Sequence, residues 1–270
     1  MNILILGDVV GPAGVKAVKE RLPNTIKEKK VDFVIINGEN AADTGRGITK
    51  KIFEELLIAG ADVVTTGNHV WDHKDAEEIA SKNLKLLRPL NLPKDSPGKG
   101  EGIFKKNGKN FIVLNLMGNI FMKKCDDVFI EAKKFIEKFK LGDGKTDFII
   151  VDMHGEITSE KTAMGHLFDG KATMVVGTHT HVPTSDYRIL EKGTAYQTDI
   201  GMCGDYNSVI GMNKDNSLKK FLKDSSAESH FPSLGDGTIS GLLVTADNET
   251  GLAKKVQPII LGGSLEERIW

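Results

Sequence analysis

The stretch VVGTHTHVP, Val175 to Pro183, ends a short apolar run on a glycine and then sets two histidines one residue apart. In an extended chain, residues i and i+2 point to the same side. Two imidazoles so placed could share one metal ion, flank two ions, or sit in a polar turn. The layout around them, a buried run followed by polar side chains, recurs along the chain, and that recurrence decides the fold.

Working outward, short apolar runs alternate with amphipathic segments, the pattern of βαβ units around a buried sheet. A first strand is expected over Asn2–Leu6, then a helix opened by Gly11-Pro12 and running to Lys30. A second strand covers Asp32–Ile36, and Thr49 caps a helix that Gly60 closes. A third strand spans Ala61–Thr65. GIFKKNGKNFIVLNL reads as a hairpin turning at Asn107-Gly108, Cys125–Lys140 as a helix, and Asp147–Val151 as a strand. A helix near Ser159–Phe168 leads to the strand Thr173–Val176 and the opening motif. YRILEKGTAYQTDIG forms a second hairpin, and GTISGLLVTAD and KKVQPIILGG add two last strands. The expected architecture is α/β, with two packed mixed β-sheets flanked by helices in one domain over 1–270.

Composition narrows the function. A formal charge of -1 gives no overall field for gripping long nucleic acid. Cys125 and Cys203 are the only cysteines, without zinc-type spacing, and read as reduced thiols. The apolar start MNILILGDVVG has no basic segment before it and is too short to span a membrane. A soluble, cytoplasmic protein with no membrane partner is therefore expected.

Five strand-like runs end in a metal-capable side chain: Asp8, Glu39-Asn40, Asn68-His69, His154, and His179 with His181. Singly, Asp8 also reads as a turn residue, Glu39-Asn40 as a surface loop and His154 as a satisfied histidine. Together they fall where open α/β sheets bind ligands, outside the carboxyl ends of strands. Carboxylate, amide oxygen and imidazole suit divalent manganese, iron or zinc.

The ordered set GD…GEN…GNH…H…GTHTH resembles the calcineurin-like metallophosphoesterase superfamily. Two departures stand out: Val10 occupies the place of the usual first-motif histidine, and Glu39, followed by Asn40, replaces the usual bridging aspartate. With WDH after GNH and TDIGMCGDYNSVIGM after the second hairpin, the chain looks like the bacterial YmdB-like subgroup. The resemblance implies a four-layer sandwich, two adjacent metals and hydrolysis of 2′,3′-cyclic nucleotides. By the same resemblance, Asp8, Glu39, Asn40 and His181 would hold one ion. Glu39, Asn68, His154 and His179 would hold the other, with Glu39 bridging and Asn40 compensating for Val10. Iron is the first candidate, with manganese or zinc as alternatives, and a homodimer or homotetramer is implied as well.

The chemistry explains the set. Two cations about 3.5–4 Å apart clamp the oxygens of a phosphodiester and acidify a bridging water, whose hydroxide attacks phosphorus. His69, beside Asn68, would protonate the leaving oxygen. Asp199, Tyr206 and Asn207, in and beside the glycine-rich segment Gly201–Gly211, are candidates for bordering the substrate. Asp72 reads as the N-cap of DHKDAEEIA or as support for His69, with the cap favoured. Trp71 reads as a base-stacking platform or a core aromatic, with the core favoured, and Cys203 as inert; His166 and His230 carry no motif. Rival readings are a phosphomonoesterase, a 3′,5′-cyclic phosphodiesterase or a nuclease on the same site, or a metal-dependent binding protein with little turnover.

Overall fold

Pleating sets the layers, because successive strand residues face opposite sides of a sheet. The computed structural model describes residues 1–268. One sheet has five strands: β1 (Asn2–Leu6), β3 (Phe33–Asn37), β4 (Val63–Thr65), β12 (Ile239–Ala246) and β13 (Ala253–Leu261), in the order β13-β12-β1-β3-β4. The other has six: β5 (Glu101–Lys106), β6 (Lys109–Met117), β7 (Phe148–His154), β8 (Met174–Thr178), β9 (Arg188–Ile189) and β10 (Ala195–Gln197), in the order β5-β6-β7-β8-β10-β9. Both are mixed: β1, β3 and β4 run parallel while β12 and β13 are antiparallel, and β6, β7, β8 and β10 run parallel between antiparallel edges.

Ile3, Ile5, Phe33, Ile35 and Val63 face Phe111, Phe148, Ile150, Met174 and Val176 across the inter-sheet core. Phe33 stacks on Phe111 with ring centroids 4.2 Å apart, which fixes the sheets face to face. The alternate residues Leu4, Leu6, Val34 and Ile36 pack under α1 (Gly11–Lys29), α2 (Lys50–Ala59) and α3 (Asp75–Lys82). Ile149, Val151 and Val175 pack under α4 (Val128–Lys138) and α5 (Thr158–Phe168). The result is the expected helix–sheet–sheet–helix sandwich. Among the described residues no helix is long and apolar enough to cross a membrane.

Local signals are met where the chemistry is short-range. The Thr49 hydroxyl accepts from the Ile52 N–H, and Asn107 and Gly108 both take positive φ in the β5–β6 turn. Cys125 and Cys203 are free, and burial pushes the Cys203 thiol up to about 12. Asp72 differs from the favoured reading: α3 starts at Asp75, with Lys74 at the N-cap position. The chain from His69 to Asp72 closes a turn, Asp72 N–H to His69 C=O, which aims the carboxylate back at His69. A further pair, β2 (Asp8–Val9) with β11 (Met202–Cys203), ties the first motif to the segment after the second hairpin.

Candidate metal centre

The same alternation that builds the inter-sheet core continues to its carboxyl end. In register with Phe33 and Ile35 comes Asn37; with Val63, Thr65; with Phe148 and Ile150, Asp152 and His154; with Met174 and Val176, Thr178. These side chains therefore turn inward, and they form one buried network. Thr178 Oγ1 donates to Asp152 Oδ1 at 2.8 Å, and Thr65 Oγ1 and Asn37 Nδ2 donate to Asp152 Oδ2 at 2.5 and 3.0 Å. Burial raises the Asp152 carboxyl against the opposing pull of Thr65, His154, Thr178 and Asn37. Sequence reading missed this floor. Its visible trace is a carboxylate at a core-facing position of the strand FIIVDMH.

Above the floor the strand-end residues meet. His154 Nε2 lies 3.0 Å from Asn68 Oδ1, 3.1 Å from Glu39 Oε1 and 3.1 Å from His179 Nδ1. Glu39, His154 and His179 form a group whose ligand atoms lie within 4.8 Å of one another. Gly67 makes room for it: a Cβ there would stand 2.3 Å from both Glu39 Oε2 and His154 Nε2. Asp8 is fully buried, with Oδ2 accepting the His179 N–H at 3.0 Å.

The donor set fits a cation. Among the described residues four buried side-chain polar atoms lack a hydrogen-bond partner, and two of them are Asp8 Oδ1 and Asn40 Oδ1. A buried acceptor left so costs about 1–3 kcal/mol, which a cation removes. Each histidine also holds one nitrogen away from the centre. His154 Nδ1 bonds Thr178 Oγ1 at 2.9 Å, His179 Nε2 lies 3.2 Å from Glu156 Oε2, and His181 Nδ1 donates to Ile210 C=O at 2.8 Å. Metal-ligating histidines are oriented in this way.

Electrostatics agree. Burial pushes Asp8 up to about 6, although His181 and His154 pull against it. Burial opposes the Glu39 charge too, but His154 and His69 hold that carboxyl at about 2. Burial also works against a proton on His154; the charges of Glu39, Asp8 and Asp152 outweigh it and raise the imidazole to about 9. Burial and the neighbouring His154 lower His179 to about 3, so it is neutral.

The two histidines of the opening motif reach their places by another route than a pleat. β8 stops at Thr178, and His179 and His181 adopt φ of 97° and 66°. Positive φ in non-glycine residues is uncommon and costs energy. Here it separates the rings, with His179 in the Glu39–His154 group and His181 held on Ile210. Asp199 fixes the turn between them: it is fully buried and accepts from Thr180 N–H at 3.1 Å, Thr180 Oγ1 at 2.7 Å and Lys161 Nζ at 2.8 Å.

A cavity of about 390 Å³ opens on this centre, lined by Glu39, Asn40, His69, His179 and His181. Asp199, Tyr206 and Asn207 are not brought to it. Tyr206 Oη is spent on the Met202 backbone, and Asn207 Oδ1 accepts from Lys214. Arg46, Glu156, Ile210, Met212 and His230 line it instead; Ile210 and Met212 belong to TDIGMCGDYNSVIGM, while Arg46, Glu156 and His230 are marked by no motif. His69 donates its backbone N–H to Glu39 Oε2 at 3.0 Å, while its ring Nδ1 lies 2.6 Å from Asp72 Oδ2. Burial opposes the Asp72 charge, yet hydrogen bonds from His69 and Lys123 hold it below the usual carboxylate range.

A four-layer α/β sandwich with carboxylate, amide and imidazole groups gathered at the carboxyl edge of both sheets defines the metallophosphoesterase class. Residues 4–259 match the YmdB-like protein family, and the chain belongs to it. It is 44% identical over 261 residues, 97% of either chain, to the Bacillus subtilis (strain 168) 2′,3′-cyclic-nucleotide 2′-phosphodiesterase. Among solved structures, a Thermus thermophilus protein matches with TM-score 0.89 and 38% identity, covering 98% of this chain and 100% of that one. A phosphatase from Mycoplasma pneumoniae matches with TM-score 0.89 and 36% identity over 97% and 93%.

Proposed function

We propose that the protein is a metal-dependent phosphodiesterase that opens 2′,3′-cyclic nucleotides to 3′-nucleotides. The observation that carries the reading is a cation-shaped donor set with an imidazole beside it that is hydrogen-bonded to a carboxylate and is not itself part of the set. The activity of the Bacillus subtilis relative supports the substrate class. Asp8, Glu39, Asn40 and His181 would hold one ion and Glu39, Asn68, His154 and His179 a second, with iron the first candidate and manganese or zinc the alternatives. When bound, the ions supply positive charge that polarises the phosphate and makes water acidic enough to attack.

The chain's own residues do the rest. Glu156, Thr178 and Ile210 C=O orient the three imidazoles, and Asp199 holds the turn that separates His179 from His181. Asp72 takes Nδ1 of His69 and leaves Nε2 free to carry a proton. Water adds to phosphorus and gives up one proton, the P–O2′ bond breaks, and O2′ leaves with the proton from His69 Nε2, which the proton released by water replaces. The product is a 3′-phosphate.

The test is turnover of one metal-loaded preparation on 2′,3′-cAMP, 3′,5′-cAMP, p-nitrophenyl phosphate and single-stranded RNA, with products identified and metal content measured. The reading expects 2′,3′-cAMP to be the best substrate and 3′-AMP the product, and His69→Ala to lower kcat by about 10²–10⁴. Preference for another phosphoester would transfer the site to that substrate. No turnover of any would make the protein a metal-dependent binder.

A further inference from the structure

The floor of the cavity is accounted for by metal ligands and His69, but its mouth carries a charge with no assigned task. Arg46 lines the cavity, is exposed, and makes no ion pair or side-chain hydrogen bond among the described residues. Two carboxylates, Glu39 and Glu156, line the same space, and each is engaged elsewhere, Glu39 with His154 and His69 and Glu156 with His179. An unpaired guanidinium there is available to an incoming anion, and its planar fork suits phosphate.

Arg46 is held in place by its backbone. Gly45 and Gly47 on either side take φ of 77° and 75°. A Cβ on Gly45 would lie 2.8 Å from Met212 Cε, and one on Gly47 2.7 Å from the His73 backbone nitrogen. Gly45 N–H donates to Ala42 C=O at 2.7 Å and Ala42 N–H to Gly47 C=O at 2.9 Å. Asn40, whose Oδ1 is the orphaned acceptor, donates Nδ2 to Gly45 C=O at 2.9 Å. One amide thus joins the candidate metal centre to the loop that presents the arginine. His230 lines the same mouth beside Arg46.

We infer that this mouth is an anion subsite built on Arg46, receiving a second phosphate carried on O5′ of the cyclic ribose. The inference rests on the reaction proposed above. With the 2′,3′-cyclic phosphate on the floor, O5′ is the remaining ribose hydroxyl that can bear a phosphate, and the neighbouring carboxylates would repel that group without the arginine. The favoured substrates are then 5′-phosphorylated cyclic nucleotides, either free mononucleotides or the cyclic-phosphate ends of short RNA, over the unphosphorylated nucleoside 2′,3′-cyclic phosphate.

The experiment compares wild type, Arg46→Ala and Arg46→Lys, all manganese-loaded. It measures kcat/KM on adenosine 2′,3′-cyclic phosphate, its 5′-phosphorylated form, and the dinucleotide ending in the cyclic phosphate. Calorimetry of 3′-AMP and adenosine 3′,5′-bisphosphate reads the subsite independently of turnover. Wild type should favour the 5′-phosphorylated substrate and the bisphosphate by about tenfold or more. Arg46→Ala should bring both ratios close to one, and Arg46→Lys should keep part of each. A preference for the mononucleotide over the dinucleotide would mark a free 5′-monoester as the group read, and equal preference a shared phosphate contact. A wild-type ratio near one, a ratio kept in Arg46→Ala, or an equal loss on phosphorylated and unphosphorylated ligands would overturn the subsite. Turnover of no cyclic nucleotide, with tighter bisphosphate binding still dependent on Arg46, would sink the reaction and leave the subsite standing.

Discussion

Replacing Asp72 by Asn tests the acid assignment without touching a metal ligand. Asp72 Oδ2 lies 2.6 Å from His69 Nδ1, its other oxygen lies 3.1 Å from Lys123 Nζ, and the His69 and Asp72 side chains are 23% and 27% exposed. A charge-assisted hydrogen bond contributes about 1.5–3 kcal/mol, and partial exposure places this one near the lower end. Loss of about 1.5 kcal/mol lowers kcat roughly tenfold. KM should change little, because Asp72 bonds His69 and does not itself line the cavity. Stopped assays on 2′,3′-cAMP read this directly. A p-nitrophenyl phosphodiester, whose leaving group departs without a proton, should show almost no loss. Equal loss on both substrates would refute the acid role of His69 and reduce Asp72 to a structural prop. No loss on either would refute the coupling altogether.

Adding manganese to metal-stripped protein at a hundred times its Kd should raise Tm by roughly 5 °C, about 2.7 kcal/mol of linkage in a chain of this size, and Glu39→Gln should abolish the rise. Gly67→Ala puts a methyl 2.3 Å from Glu39 Oε2 and His154 Nε2, so metal stoichiometry by mass spectrometry should drop while the far-ultraviolet circular dichroism stays that of the fold. Burial opposes the Asp186 charge, but hydrogen bonds from Thr184 and Thr198 hold its carboxyl below the ordinary value of 3.8. Its stabilising contribution is therefore present above that value and lost as pH falls through the lower folded one. Asp186→Asn should destabilise at neutral pH, and urea titrations should show the difference shrinking below about pH 4.

The strand ends were legible in the sequence because burial and ligation use different residue types. A run such as NILIL followed by Gly-Asp announces both the strand and what it presents. Residues whose roles depend on a partner from a distant segment were not legible. Asp152 needs Asn37 and Thr65 from the facing sheet before it has a meaning, and Asp199 needs Thr180 and Lys161. Arg46 is conspicuous through the absence of a partner among the described residues, which only three dimensions reveal. The one-residue spacing of His179 and His181 suggested a pleat, whereas the left-handed backbone that parts them leaves no mark in the residue types.

The centre draws Asp8, Glu39, Asn40, Asn68 and His69 from the edge of one sheet and His154, His179 and His181 from the edge of the other. In chain order the first group is complete at residue 69, yet the last candidate ligand stands at residue 181. His179 and His154, from the second sheet, are the partners of Asp8 and Glu39. An ion held as proposed would therefore bridge the two halves of the chain, so that its binding would be coupled to their docking.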